Sequence, residues 1–469
     1  MTVAPYQSAL FERCKEIHGF LSDCQRQATH NQHAKLANLT LPISSIEPWL
    51  ALQALEDTYP IHFYYSTANY TLLGLGITIA QRAAGPDRFE RMQQFVDVWK
   101  RRILVSNQSG IIIKPYFLCG FTFFDQAAGL FDAAQVFVPQ LQILQRNGQT
   151  TASLNYLIDD AVNITRLVDD IKQRIQALEN IAKTARPSSP TTIQTPKVVR
   201  DVGNFEQMVS NVLPSLKGAD LHKVVLADAL DVLSANPFHI PASLKALGTA
   251  YSDCYVFSLS NGKGPVFIGA SPERLLSITT SANNRQLTTD ALAGSAPRGK
   301  TAEVDHHIAK QLLNSSKERY EHRVVVEFIV EQLIRLGLTP RFSDSPQLLR
   351  LANIQHLHTP IQASLPHSLT PLDLVKILHP TPAVAGLPRA TASQLLKVTE
   401  SFDRELYASP IGWIDANGNS EFIVGIRSAL IDGRQARLFA GAGIVAQSDP
   451  RSELAEVKLK LQALLGALM

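Results

Sequence analysis

Ser316-Lys-Glu-Arg-Tyr-Glu-His322 begins a stretch in which apolar residues recur with the period of a helix. At about 100° per residue, Glu318, Glu321 and His322 fall in the same sector as the apolar stripe that starts at Val325. This stretch therefore predicts a helix that turns two carboxylates toward the protein core.

A second helical stretch, at the carboxyl end of the chain, repeats this arrangement. Glu453 and Glu456 are again three residues apart and border an apolar stripe that starts at Leu454. Lys460 falls in the same narrow sector as the two carboxylates, whereas Lys458 points well away. The sequence thus predicts two acidic helices, the second with an inward-facing lysine.

Inward-facing carboxylates need partners. A carboxylate that is buried alone must pair with a cation, become protonated or bind a metal ion. Oxygen ligands of this kind suit Mg²⁺, which takes one or two carboxylates and completes its octahedron with waters and substrate oxygens. For either helix alone, salt bridges to neighbouring arginines are the commoner explanation. The helices by themselves leave both interpretations open.

The composition indicates a globular protein with an ample core. Of 469 residues, 45% are hydrophobic, and 44 basic residues nearly balance 41 acidic ones. Because no long run of either sign occurs, we expect no nucleic-acid partner. The cysteines are scattered without metal or redox spacing, which favours reduced thiols; they are Cys14, Cys24, Cys119 and Cys254.

The apolar segments are too short for a membrane span. The longest, around Leu72 to Ala80, falls well below the ~20 residues that a bilayer requires. Met1 to Leu21 contains Glu12 and Glu16 and has no apolar region followed by a cleavage site. We therefore expect neither a signal peptide nor a transit peptide, and a cytoplasmic location.

Helix and strand patterns mix along the chain in a way typical of an α+β protein. Upstream, strands are predicted at His62–Tyr65, Leu72–Ala80 and Ile111–Phe124, and a long helix over Thr151–Thr184. The following stretch, Ala185 to Pro196, is rich in Pro, Ser and Thr and resembles a linker.

The downstream part is predicted to contain further helices and strands. The helices are predicted at Phe205–Leu216, Pro241–Leu247, Leu372–Leu378 and Ala392–Val398. The strands are predicted at Val224–Ala227, Cys254–Leu259, Val266–Ala270, Gly412–Asp415, Glu421–Ile431 and Arg437–Ala440. Asp449 and Pro450 are a typical N-cap and first-turn residue for the last helix.

Six strings occur in an order that resembles the chorismate-utilising enzymes. They are Gly269-Ala-Ser-Pro-Glu-Arg-Leu275, Leu292-Ala-Gly-Ser-Ala-Pro-Arg-Gly299, Ser316-Lys-Glu-Arg-Tyr-Glu-His322, His379-Pro-Thr-Pro-Ala-Val-Ala-Gly-Leu-Pro-Arg389, Ile426-Arg-Ser428 and Ala440-Gly-Ala-Gly-Ile444. Within that family, the His-Pro-Thr-Pro loop and Lys223-Val-Val-Leu226 are similar to isochorismate synthases. The aminating members usually carry a different loop and lack this lysine.

The resemblance implies one large α+β domain over residues 1–469, with two packed antiparallel sheets in the core, helices outside and a buried site between the sheets. It reaches upstream through Phe63-Tyr-Tyr-Ser66, Gly74-Leu-Gly76 and Gly120-Phe-Thr-Phe123. Residues 185–197 are accordingly interpreted as an internal surface loop. Residues 1–184 form the less specific part of the domain, and 198–469 carry the catalytic motifs.

The resemblance also implies a role for each site residue, carried over position by position. Glu321 and Glu456 would bind Mg²⁺ directly, and Glu318 and Glu453 would hold its waters. The residues expected to bind substrate are Tyr407, Arg427, Gly441, Gly443, Lys460, Gly294, Ser295 and His356. Mg²⁺ and Lys460 would meet the ring carboxylate of chorismate, and Arg427 would form a bidentate pair with the enolpyruvyl carboxylate.

The implied reaction moves a hydroxyl group from C4 to C2 of the ring and needs one base and one acid. Lys223 is expected to take the proton of the attacking water, for which its amine must be neutral during part of the cycle. Glu273 is expected to protonate the departing hydroxyl, as a carboxyl that keeps its proton in a dry pocket could. For each residue taken singly, a structural role is commoner than a catalytic one. Lys223 would then be a solvated lysine at the start of a strand, and Glu273 a turn carboxylate paired with Arg274.

The expected function is therefore that of an isomerase, a Mg²⁺-dependent isochorismate synthase that feeds menaquinone, phylloquinone or siderophore biosynthesis. A salicylate synthase, which goes on to eliminate pyruvate, is the alternative. An aminating synthase is disfavoured by Lys223, and the chain has no Gly-x-Cys-x-Gly nucleophile, so no glutaminase subunit is expected. A non-catalytic chorismate-binding regulator is the alternative from another class.

Two positions depart from the family pattern. Asp228 stands where related lysine-bearing strands often have Arg, and Ala385 stands where many relatives have Gly. If an arginine supports the site in relatives, the activity or the pH optimum of this chain is expected to differ.

Overall fold

The computed structural model describes residues 5–106, 113–126, 129–186, 198–218, 220–281 and 284–468. Within these ranges the chain forms two large sheets with helices packed around them, which confirms the predicted α+β class. None of the helices described is both long and apolar enough to cross a membrane.

The helices and strands are numbered in chain order. The helices are α1 Pro5–Asn31, α2 Pro48–Leu55, α3 Arg88–Lys100, α4 Ile164–Thr184, α5 Phe205–Leu216, α6 Ile240–Ala250, α7 Ala302–Asn314, α8 Ser316–Arg335, α9 Pro371–Leu378, α10 Arg389–Thr399 and α11 Pro450–Leu468. The strands are β1 Lys35–Pro42, β2 His62–Ser66, β3 Tyr70–Leu75, β4 Ile79–Ala83, β5 Ile103–Val105, β6 Tyr116–Phe121, β7 Ala134–Val138, β8 Leu141–Arg146, β9 Gln149–Ile158, β10 Val198–Asp201, β11 Lys223–Leu233, β12 Tyr255–Ser260, β13 Val266–Ser271, β14 Arg274–Ser281, β15 Asn284–Pro297, β16 Gln347–Arg350, β17 Ile354–Ser364, β18 Gly386–Leu387, β19 Pro410–Asp415, β20 Ser420–Val424, β21 Ser428–Asp432 and β22 Gln435–Ile444.

In the described part of the chain, the strands form one sheet of 13 and one of 9. The larger runs β10-β11-β22-β21-β13-β12-β2-β3-β8-β9-β1-β5, with β18 paired to β11, and the smaller runs β16-β17-β15-β14-β20-β19-β6-β7-β4. The neighbours are antiparallel, as predicted, except that β1 and β5 pair in parallel at one end of the larger sheet. Both sheets contain strands from before and after 187–197, a stretch that lies outside the described residues.

The two sheets pack face to face around a single hydrophobic core. Phe63 and Phe267 of the larger sheet, and Phe117 and Phe422 of the smaller one, are fully buried there. Each buried ring stabilises the fold by roughly 1.5–3 kcal/mol. The approach is close enough that a side chain at Gly120 would collide with Leu259 of the opposite sheet.

The helix predicted over Thr151–Thr184 is wrong in its first part. Its first eight residues lie in β9, which pairs with β1 and β8, and only Ile164–Thr184 is helical. The helix begins where the Asn163 side chain accepts a hydrogen bond from the Arg166 amide at 3.0 Å. Pairing with two strands decides the conformation of the first part, because burial in a sheet outweighs local propensity.

Two predicted strands are each divided between the sheets. Leu72–Ala80 is interrupted at Gly76, whose φ is +67°, so β3 enters the larger sheet and β4 the smaller one. Glu421–Ile431 is interrupted at residues 425–427, where the chain passes from β20 in the smaller sheet to β21 in the larger. Predicted Ile111–Phe124 is reduced to β6, and residues 111–112 lie outside the described part of the chain.

The remaining predicted elements are present, most within two or three residues of their expected ends. The prediction for α5 is confirmed residue for residue, whereas β11 extends to Leu233, well beyond Ala227. Asp449 caps the start of α11 as predicted, because its Oδ2 accepts a hydrogen bond from the Ser452 amide at 2.9 Å. The two acidic helices pack on the sheets, α8 on β15 and α11 on β22.

Candidate active site

A cavity of about 120 Å³ lies where α8 and α11 approach the sheets. A single water needs only about 10–15 Å³ on this measure, so the cavity has room for a small organic molecule. Of the predicted site residues, those that line it are Glu273, Gly294, Ser295, Glu318, Glu321, His356, Tyr407, Arg427, Gly441, Gly443, Glu453, Glu456 and Lys460. Lys223 is the one predicted site residue that lies behind this lining.

Lys223 is the first residue of β11 and is 3% exposed. Its Nζ donates a hydrogen bond to Glu321 Oε1 at 2.7 Å. Gly443 on the neighbouring β22 makes room for this pair, since a Cβ there would lie 2.6 Å from Glu321 Oε1 and 2.8 Å from Lys223 Cε. The lack of a side chain at Gly443 therefore lets the predicted base on β11 contact a predicted metal ligand on α8.

Glu273 lies at a further crossing between the sheets, where the chain passes from β13 in the larger sheet to β14 in the smaller one. Its amide donates to Ser271 Oγ at 3.1 Å, and its carbonyl accepts from the Val424 amide at 3.0 Å. Burial raises the pKa of the Glu273 carboxyl to about 8, with a smaller contribution from Asp290 and an opposing one from Lys223. Glu273 therefore holds a proton at neutral pH, as the acid role requires.

The four predicted metal-site carboxylates face the same cavity, and lysines neutralise them. Lys460 Nζ lies 2.8 Å from Glu456 Oε1, and Lys317 Nζ lies 3.4 Å from Glu453 Oε1. Burial raises the pKa of Glu453, and burial together with the nearby charge of Glu321 raises that of Glu318. A cation of higher charge would thus stabilise the ionised form of these carboxylates.

The donor set fits a hard divalent cation, although the ligands are not assembled around one point. In the part of the chain that the structure describes, no three His, Cys, Asp or Glu side chains are close enough to hold a metal ion. The four glutamates nevertheless offer only carboxylate oxygens, which Mg²⁺ prefers over nitrogen or sulfur. To hold such an ion, Glu321 and Glu456 would have to move relative to the lysines that pair with them.

A bulge in β15 connects the two acidic helices. The pairing of β15 with β17 shifts register between Ala293 and Ser295, and Gly294 adopts a φ of +76°. This turns the Ser295 amide toward Glu318 Oε2 at 3.1 Å, and the Ser295 hydroxyl toward Glu456 Oε1 at 3.2 Å. Glycine suits the left-handed conformation at residue 294, so this bulge positions one carboxylate from each helix.

Arg427 is held at the crossing from β20 to β21 in a strained backbone conformation, with φ +50°. Its Nη2 donates to His356 Nε2 at 2.8 Å. Burial, reinforced by the Arg427 charge, lowers the pKa of His356 well below its ordinary value, so the imidazole is neutral and can accept this bond. Nη1 of Arg427 is buried without a partner among the described residues, which suits an arginine that awaits an anion.

Tyr407 lies in the cavity wall and is buried. Its ring stacks on Phe439 with the centroids 5.2 Å apart. A side chain at Gly441 would lie 2.9 Å from the Tyr407 hydroxyl, so the glycine keeps that hydroxyl accessible. The Gly441 carbonyl accepts a hydrogen bond from Lys460 Nζ at 2.8 Å. Gly441 thus leaves space for Tyr407 and accepts a hydrogen bond that fixes Lys460. Lys460 is less exposed than Lys458 on the same helix, as the sequence predicted.

Sequence reasoning missed several contributors to the site. Lys317 lines the cavity although it immediately precedes Glu318 in the motif, because its long side chain reaches around the helix end. The apolar wall was also missed, and it includes Val225, Leu292, Ala383, Val384, Ile426 and Phe439. The pair Glu400 and Arg404 supports this wall from behind, since Arg404 donates to the carbonyls of Val225 and Val384.

Asp228 lies outside the cavity lining. Its side chain is buried, accepts a hydrogen bond from the Ala229 amide at 2.9 Å and faces Gly203. Burial raises its pKa to about 6, with a lesser contribution from Asp201. The departure from the family pattern at this position therefore changes a contact between β11 and Gly203 and does not change the cavity lining. The second departure, Ala385, is also buried, and its carbonyl accepts from the Val225 amide at 2.9 Å.

A cavity lined by a buried guanidinium, a protonated carboxyl and several carboxylates is typical of a protein that binds a small polar molecule. The chain belongs to the family of chorismate binding enzymes, whose family model matches residues 20–469. The family resemblance predicted from the sequence motifs is thereby confirmed.

Several curated proteins are similar to this chain. The salicylate biosynthesis isochorismate synthase of Pseudomonas aeruginosa is 31% identical over 92% of this chain and 90% of its own length. Isochorismate synthase MenF of Bacillus subtilis is 38% identical over 57% of this chain and 56% of its own length. The solved structure of MenF, the menaquinone-specific isochorismate synthase from Escherichia coli, covers 97% of this chain and 100% of its own at a TM-score of 0.77 and 25% identity.

Proposed function

We propose that this chain is an isochorismate synthase, an isomerase that converts chorismate to isochorismate with Mg²⁺ and supplies a quinone or siderophore pathway. One observation carries the proposal: a protonated glutamate, and an arginine with one nitrogen that has no partner among the described residues, line the same cavity, and a buried lysine lies directly behind it. The names of the relatives support the same reaction.

Substrate binding depends on two groups of residues. Arg427, oriented by His356, forms a bidentate pair with the enolpyruvyl carboxylate, because it lines the cavity and its Nη1 has no partner among the described residues. Lys460 pairs with the ring carboxylate. Glu321 and Glu456 would hold Mg²⁺, with Glu318 and Glu453 binding its waters, and the ion would neutralise and orient that ring carboxylate.

The chemistry is a displacement with allylic shift, in which one C–O bond forms at C2 as the C–O bond at C4 breaks. Lys223 accepts a proton from the attacking water, so that the new hydroxyl remains on C2. Glu273 gives its proton to the oxygen at C4, which leaves as water. The two proton transfers balance, since Lys223 ends protonated and Glu273 ends ionised.

The apolar wall of the cavity limits side reactions of the bound ring. Apolar residues on the loop 383–384, with Val225 and Phe439, line the cavity and exclude bulk water from that part of it. The two catalytic groups therefore act on one bound water and one hydroxyl. This arrangement favours isomerisation over hydrolysis of the enol ether.

The test is incubation of the purified chain with chorismate and Mg²⁺, with the products separated by chromatography. Isochorismate alone is expected, and it should disappear when the metal is removed by chelation and return when Mg²⁺ is added. Glu273→Gln should reduce turnover by roughly 10²–10⁴-fold. Salicylate with pyruvate, or anthranilate in the presence of ammonia, would show that a different reaction takes place in this cavity.

A further inference from the structure

Lys317 lies where the two acidic helices face each other. Its Nζ is 3.4 Å from Glu453 Oε1 on α11 and 4.0 Å from Glu318 Oε1 on its own helix. The side chain is 48% exposed, in contrast to the Lys223 side chain at 3%. One half-exposed ammonium group therefore joins a carboxylate of each helix.

The same residue separates the cavity from a groove on the protein surface. This groove, of about 520 Å³, is bordered by the start of α8 and by the turn that precedes α11. Lys317 and Glu321 line both the groove and the cavity. These two side chains therefore lie at the boundary between the groove and the carboxylates.

The lysines that neutralise the carboxylates differ in their freedom to move. Lys223 is enclosed by β11 and β22, and Lys460 is tied to both Glu456 and the Gly441 carbonyl. Lys317 has only carboxylates as its described partners and reaches solvent through the groove. A positive charge next to a divalent ion costs free energy. Of these three lysines, the half-exposed Lys317 can therefore move away from the carboxylates most readily.

We propose that Lys317 is an internal counter-cation that holds Glu318 and Glu453 in the metal-free protein and is displaced into the groove when a divalent cation enters. This proposal rests on the metal site of the proposed function. Lys317 then competes with the metal, so it sets the Mg²⁺ concentration at which the site fills, and it keeps the carboxylates in place while the site is empty.

The first experiment measures Mg²⁺ binding by titration calorimetry, with and without chorismate, on the full chain. Lys317→Met removes the competing charge and should tighten Mg²⁺ binding about tenfold. Lys317→Arg keeps the charge and should not tighten it. Lys310→Met, at an exposed position on α7 outside the cavity, makes the same change in net charge and should leave the affinity unchanged.

The outcomes separate this inference from the proposed function. If the unmodified chain binds Mg²⁺ and Lys317→Met binds it equally or more weakly, Lys317 is a structural bridge and the inference is overturned. If the unmodified chain binds no Mg²⁺ with or without chorismate, the metal role in the proposed function fails and the inference fails with it.

A second experiment needs no variant and therefore does not depend on the folding of Lys317→Met. The unmodified chain is treated with a water-soluble acetylating reagent, and the acetylation of Lys317 is measured by peptide mass spectrometry relative to that of Lys310. Saturating Mg²⁺ should increase the relative acetylation of Lys317 several-fold, because the ammonium moves into the groove. An unchanged or reduced rate contradicts the displacement.

Discussion

The Nζ of Lys223 and the Oε1 of Glu321 are 2.7 Å apart, so the proposed base donates a hydrogen bond to a proposed metal ligand. Lys223 lies on β11 and Glu321 on α8, and the two residues are 98 positions apart in the sequence. A cation that takes over Glu321 would free the lysine amine for water. In the proposed mechanism, metal binding and activation of the base would thereby be linked through one carboxylate.

Lys223→Ala is expected to lower turnover by roughly 10²–10⁴-fold, because the attacking water loses its proposed base. The Mg²⁺ affinity should be retained, since Glu321 loses a competing partner and keeps its position. Turnover is followed by chromatography of isochorismate, and metal binding by calorimetry. A variant that keeps most of its turnover would exclude Lys223 as the base and would agree with a non-catalytic, chorismate-binding role.

Glu273→Gln is expected to make folding less sensitive to pH. The pKa of Glu273 rises from its ordinary value of 4.5 to about 8 in the folded protein, so between these limits the folded state holds a proton that the unfolded state has lost. The free energy of unfolding of the unmodified chain therefore falls as pH rises through this window, by up to about 1.4 kcal/mol per pH unit.

Glutamine stays neutral at every pH and avoids that loss. Relative to the unmodified chain, Glu273→Gln should thus gain stability from pH 5 to pH 8, and the two should become equal below pH 4.5 where the comparison is possible. Urea unfolding at several pH values measures the difference. A stability difference that does not vary with pH would mean that Glu273 is ionised in the folded protein.

His356→Leu is expected to raise the KM for chorismate about tenfold with a smaller effect on kcat, because Arg427 loses the acceptor that orients its guanidinium. His356→Gln supplies a neutral oxygen acceptor and should recover part of the affinity. Since the pKa of His356 is well below its ordinary value, the KM should show no inflection near pH 6.5. A reduced kcat with an unchanged KM in His356→Leu would argue against this positioning role.

Arg404→Met is expected to destabilise the fold by about 3–5 kcal/mol, because it leaves Glu400 charged and buried without its partner. Arg404 and Glu400 are 1% and 2% exposed, and their closest nitrogen and oxygen are 2.6 Å apart. The double variant with Glu400→Met should be more stable than Arg404→Met alone. Chemical denaturation of the two single variants and the double variant gives the coupling energy, and simple additivity would show that the pair does not act as a unit.

The local sequence was sufficient for much of the site because several elements carry their own signals. The period of the apolar residues and the capping residues define α8 and α11, and these place Glu318, Glu321, Glu453 and Glu456 toward the interior. The ordered motifs supplied the family and with it the remaining site residues. Because these signals depend only on neighbouring residues, they can be recognised without knowledge of the fold.

The sequence by itself determined the α+β class, the acidic faces of two helices and the residue types available for acid, base and anion binding. Tertiary structure decided which sheet each half of Glu421–Ile431 enters, that the first part of Thr151–Thr184 is a strand, and that Lys317 reaches across to Glu453. Strand partners and contacts between distant elements depend on burial and on register across hundreds of residues, which no local pattern encodes.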